Sequence, residues 1–155
     1  SFPTRRSSIS RNISNGIESV NFKGQKVCVI DERSEIAGCM DGLPQLDVGI
    51  RTDVLDNCPK SYGIMMAIRS MSPDVIVCDE IGTSKDIESI IKAMNSGVKL
   101  ITTVHGYDVE DILQRPVFKE AIDNKIFNMA IILSNKKGAG TIEGIYDFNK
   151  KATIF

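Results

Sequence analysis

The chain has 155 residues, is 42% hydrophobic and carries a formal net charge of −1, which suits one globular domain with a real apolar core. Balanced charge gives no footprint for nucleic acid, no run approaches the roughly 20 apolar residues of a membrane span, and the polar, basic first residues do not read as a signal peptide. Four cysteines without CxxC spacing and a single histidine disfavour a zinc site and suit a reduced, cytoplasmic chain.

Residues 1–16 read as an entry segment, irregular or helical, stopped at Asn15-Gly16. The sheet-and-helix core of the single domain, 1–155, is expected over 26–148. Residues 26–30 (KVCVI) form a first strand that runs into Asp31-Glu32-Arg33. Residues 35–50, with Gly42, Pro44 and Gly49, read as a loop. A helix follows over 59–71, with Pro59 in its first turn and Tyr62, Met65, Ile68 and Met71 as its inner face.

Val75-Ile76-Val77-Cys78 is apolar without alternation, the pattern of a strand buried on both faces of a parallel sheet. It runs straight into Asp79-Glu80, whose side chains would point to opposite sides of the strand. One could hold Mg²⁺ while the other orients a water, as in the Walker B end of a nucleotide triphosphatase. Thr83 and Asp86 have capping-box spacing ahead of a helix over 86–95, with Gly97 beyond its end. A third strand over 99–105 ends at His105. Short helices over 109–115 and 117–124 follow, then strands over 129–133 and 141–148 joined through Gly138-Ala139-Gly140. The alternation of strand and helix, closed by a hairpin, predicts a mostly parallel sheet flanked by helices. Three polar strand ends then converge on one edge: Asp31-Glu32, Asp79-Glu80 and His105.

These residues carry a resemblance. The run IRSMSPDVIVCDEIG followed by LITTVHG resembles the motor domain of the type II and type IV secretion ATPases. VCVIDERSEIAG, CPKSYGIMMAIRSMSPDVIVCDEIG, TTVHG and LSNKKGAGTIEGIY are similar to segments of a stage III sporulation ATPase family of endospore-forming bacteria. The resemblance spans about Val27 to Tyr146. It implies a RecA/AAA-like P-loop NTPase core that uses ATP and Mg²⁺. It matches Glu80 to the acidic Walker B position and His105 to the histidine box. Asp31, Glu32 and Glu35 resemble the acidic box, with Glu32 slightly favoured over Glu35 as the catalytic carboxylate. Asp79 is the metal candidate, although secretion ATPases commonly have glycine there. Arg33, Arg51 and Arg69 are candidates for γ-phosphate contact, including across a subunit boundary.

No GxxxxGK[ST] sequence occurs in the chain, so the usual phosphate cradle is missing. The expectation is therefore the carboxyl-terminal part of such an ATPase, without its first strand and P-loop and inactive alone. The resemblance further implies a parent that forms a homo-oligomeric, hexameric ring and works with other stage III sporulation channel proteins. An unpaired strand edge favours dimers or strand swapping of the fragment. The alternative, from another class, is a non-enzymatic assembly module built on a nucleotidase-like sheet.

Overall fold

A computed structural model describes residues 5–138 and 140–155; residues 1–4, part of the expected entry segment, and Ala139, in the expected turn, lie outside them. Four parallel strands form the central sheet: β3 (Val27–Asp31), β4 (Thr52–Asp56), β5 (Val75–Cys78) and β6 (Lys99–Ile101), in the order β4-β3-β5-β6. β3 and β5 are buried at every position. Alternation sends Cys28, Ile30, Ile76 and Cys78 into the larger core, with Ile64, Ile87, Ile90 and Phe118. Val27, Val29, Val75 and Val77 enter the smaller core, with Ile36 and Ile13. Both faces are covered, which explains strands without a polar side.

The larger face is built by α2 (Lys60–Met66), α3 (Ser84–Asn95) and α5 (Pro116–Asp123); the short α4 (Val109–Gln114) precedes α5. α3 starts as its sequence requires: Thr83 Oγ1 accepts from Asp86 N at 3.2 Å, and the Asp86 carboxylate accepts from Thr83 N at 3.0 Å. α2 continues as a π-helical turn over Ala67–Met71. Its inner face matches the expected one only in part: Ile68 and Met71 pack against the larger core as expected. Gly63, Ile64 and Ala67 are buried, whereas Tyr62 is 61% exposed. The cause is Gly63, which lets the helix approach β3 more closely than any side chain would.

α1 (Arg5–Asn15) packs largely through hydroxyls. Ser7, Ser10 and Ser14 are fully buried; Ser10 Oγ donates to Val48 O at 2.9 Å, and Ser14 Oγ accepts from Arg51 N at 2.6 Å. Arg5 at its start donates to Gly140 O at 2.8 Å, reaching the carboxyl-terminal sheet.

Three elements depart from the sequence expectation. β4 lies in a stretch given no element, because Thr52-Asp53-Val54-Leu55-Asp56 is a half-exposed edge strand whose two apolar residues are flanked by polar ones. β6 stops at Ile101, since Thr102 turns its hydroxyl onto Asp79 O (2.8 Å). His105 therefore sits on a loop beyond the strand. The expected carboxyl-terminal hairpin, β7 (Met129–Ser134) and β8 (Thr141–Asp147), gains a third antiparallel strand, β9 (Ala152–Thr153). A two-residue ladder, β1 (Gly16–Ile17) with β2 (Phe22–Lys23), links α1 to β3.

A Cβ at Gly63 would lie 2.7 Å from Ile30 Cγ2 and 3.1 Å from Cys58 Sγ, whereas one at Gly82 would meet nothing within 4 Å. Gly63→Ala is expected to cost about 1–3 kcal/mol by overpacking, and Gly82→Ala within about 0.5 kcal/mol of nothing. Urea unfolding of both variants checks this, and equal midpoints would refute the close approach of α2.

Candidate functional site

Ile30 and Cys78 are register partners on adjacent parallel strands, so the acids that follow them emerge side by side. Asp31 does not reach outward. Its fully buried carboxylate accepts hydrogen bonds from the backbone N–H groups of Glu35 (2.8 Å), Ile36 (3.0 and 3.1 Å) and Ala37 (2.8 Å). Three donors saturate the group and fix the loop after β3. Glu32, one residue on, is left as the projecting acid.

Glu32 and Asp79 meet at the Lys60 ammonium. Lys60 Nζ donates to Asp79 Oδ1 at 2.9 Å and also to Glu32 Oε2. The side chains of Lys60 and Asp79 are 8% and 3% exposed, and that of Glu32 is 39% exposed. Burial alone would lower the Lys60 pKa, but hydrogen bonds and charge from Glu32 and Asp79 outweigh it and hold the group above its ordinary 10.5. The ammonium thus stays charged. Asp79 Oδ2 is buried with no hydrogen-bond partner. Beneath Asp79, burial pushes the Cys78 thiol up to about 12.

On the other side of β5, Glu80 is 41% exposed and its Oε2 lies 3.8 Å from Nε2 of the largely exposed His105. A cavity of about 280 Å³ is lined by His105, Gly106, Tyr107 and Arg115. Arg115 holds that loop by donating to His105 O at 2.8 Å and to Asp111 at 2.6 Å.

The structure therefore brings Glu32 and Asp79 together through Lys60, and Glu80 beside His105. It turns Glu35 away, into an exposed ion pair with Arg6 at 3.1 Å. Arg33 is exposed beside Glu32. Arg51 and Arg69 are exposed at the opposite edge of the sheet. Arg51 O accepts from Val27 N (2.9 Å) at the start of β3, and the π turn bearing Arg69 ends at Met71, whose carbonyl accepts from Lys26 Nζ. Within one chain neither faces the acids.

Lys60 is the residue that sequence reasoning missed. A signal was present: a lysine in the first turn of a helix opposes the helix dipole and calls for anionic partners. Among the described residues no group of three or more His, Cys, Asp or Glu is placed to hold a metal ion. The paired carboxylates of Glu32 and Asp79, one with an unpartnered oxygen, nevertheless suit Mg²⁺, which commonly takes one or two carboxylates and leaves its other positions to water and phosphate.

Residues 4–153 match the family described as "Sporulation stage III, protein AA", and the chain belongs to that family. It is 47% identical over 127 residues to "Stage III sporulation protein AA" of Bacillus subtilis (strain 168), covering 82% of this chain and 41% of that protein. The fold is that of the ATPase DotB. The Yersinia pseudotuberculosis structure matches with a TM-score of 0.60 at 18% identity over 95% of this chain and 41% of its own. The Legionella pneumophila structure matches with a TM-score of 0.55 at 15% identity over 80% and 37%. The chain thus spans about two fifths of the length of these relatives.

Stability at alkaline pH follows from the same burial. Buried Cys28 and Cys78, both at about 12 when folded against an ordinary 9.0, keep their protons while the unfolded thiols ionise. Raised folded values give stability that is complete below pH 9 and lost as pH climbs towards 12. Urea midpoints should fall over that range, and less steeply in Cys78→Ala than in the wild type. Parallel declines would show that Cys78 does not contribute.

Proposed function

We propose that this chain forms the acid-bearing side of an ATP-hydrolysing motor core. The observation that carries the reading is the gathering of Glu32, Asp79, Glu80 and His105 at the carboxyl edge of a parallel sheet buried on both faces, the edge at which such sheets bind ligands. A scaffold has no physical need for two sets of paired polar groups there.

In this reading Glu32 accepts a proton from the attacking water and Glu80 orients that water. His105, within reach of Glu80, donates to a phosphate oxygen and fixes the Glu80 carboxylate. Asp79 would hold Mg²⁺, which when bound supplies charge neutralisation to the phosphates. Arg33 flanks the site beside Glu32, whereas Glu35, paired with Arg6, stands apart from it. Arg51 and Arg69, on the far edge, act only if a neighbouring subunit presents them, as in a ring. The phosphate cradle comes from polypeptide outside this sequence, so the chain alone binds ATP weakly. By likeness to its relatives, the complete protein works as a homo-oligomer on the cytoplasmic, mother-cell side. There it powers assembly of, or transport through, a channel to the forespore with other stage III sporulation proteins. No helix among the described residues is long and apolar enough to cross a membrane.

The missing GxxxxGK[ST] favours a second reading, an assembly module without hydrolysis. Calorimetry with Mg²⁺-ATP, on this chain and on a protein of its relatives' length, separates the two. Binding and hydrolysis by the longer protein alone are expected. Glu80→Gln and Glu32→Gln in that protein should each slow hydrolysis by about 10²-fold or more. No binding by either protein would overturn the ATPase reading and put the assembly module ahead of it.

A further inference from the structure

Lys60 has a single positive charge to share between two carboxylates, so the group retains one net negative charge in a largely buried setting. Independently, Asp79 Oδ2 is buried without a hydrogen-bond donor. Buried polar oxygens in folded proteins are almost always partnered, and an exception marks a place for a ligand or ordered water. The charge count and the vacant lone pairs describe the same need: one more positive charge that also binds oxygen.

We propose that Lys60 is a resident counter-ion occupying the cation position between Glu32 and Asp79, and that Asp79 takes a divalent cation only when the ammonium gives way. An ammonium and a divalent ion repel strongly at contact distance in a medium of low dielectric constant. Replacing the first by the second brings the group to neutrality and supplies a partner for Asp79 Oδ2. Lys60 can make the exchange because its ammonium ends a flexible four-carbon stem. It stands in the first turn of α2, next to the part-exposed Glu32. While the ammonium stays, Glu32 is held by it and is not free to accept a proton from water. Lys60 is then a positioning residue that keeps the acidic edge idle until a cation arrives.

This rests on the acidic edge being the cation side of the site proposed above, but it is tested without nucleotide, so failure of hydrolysis leaves it intact. Free Mn²⁺ is followed by electron paramagnetic resonance in titrations of this chain, Lys60→Met and Lys60→Met/Asp79→Asn. Lys60→Met should bind Mn²⁺ about tenfold more tightly than the wild type, or better, because a competing buried charge has gone, and Asp79→Asn should abolish the gain. Equal affinity in wild type and Lys60→Met, or a gain that survives Asp79→Asn, would overturn the proposal. Should Lys60→Met not fold, the Lys60 ¹⁵Nζ resonance of the wild type is titrated with Mg²⁺ instead. It should shift along the metal-binding isotherm; an unmoved resonance at saturation, or no binding at all, would overturn the exchange.

Discussion

Burial of β3 and β5 on both faces is the constraint from which the rest of the molecule follows. With helices and loop over each side, polar side chains are confined to the ends of these strands, and Asp31, the last residue of β3, is tolerated because backbone N–H groups satisfy its carboxylate. Acids are therefore confined to strand ends, and parallel direction puts those ends on one edge. Adjacent parallel strands in register release Asp31 and Asp79 as neighbours, and Glu32, one residue on, is brought to Asp79 through Lys60. Two carboxylates so placed repel, and Lys60 resolves the repulsion from the start of the helix that packs beside them.

Much of this was legible in the residues. VIVC followed by DE declared a buried strand with a chemical end, and Thr83 with Asp86 declared a helix start, because both are local patterns with short-range causes. The half-buried β4 was not legible, since an edge strand with two apolar residues makes no distinct period. The inner face of α2 was legible only in part, for a related reason. Three-residue spacing suggested Tyr62, Met65, Ile68 and Met71; Ile68 and Met71 do meet the core, but the first turn is set by the nearness of Gly63 to Ile30, a contact between residues 33 positions apart. Lys60 escaped because its partners come from two other elements, and pairing of that kind has no periodicity to read.

The acids that looked equivalent in sequence have separated by environment. Asp31 is saturated by the backbone, Glu35 is drawn to α1 by Arg6, and Glu32 alone of the three reaches the edge. Spacing made Glu32 and Glu35 hard to distinguish, whereas a turn built on the Asp31 carboxylate sends them in different directions. A buried acid that looks chemical can thus serve as the anchor that aims its neighbour.

The two faces of the sheet are also held by different forces. α3 and α5 bury isoleucine and phenylalanine, whereas α1 is seated through Ser10, Ser14 and a modest contribution from Ile13. Releasing apolar surface to water raises heat capacity, and releasing hydroxyl and peptide groups lowers it. Detachment of α1 accordingly carries a small heat-capacity change, so its free energy varies almost linearly with temperature. The helical face opposite follows the curved dependence of an apolar core. Cooling weakens that face without loosening α1 to the same degree, and the two sides of one sheet respond differently to the same thermal history.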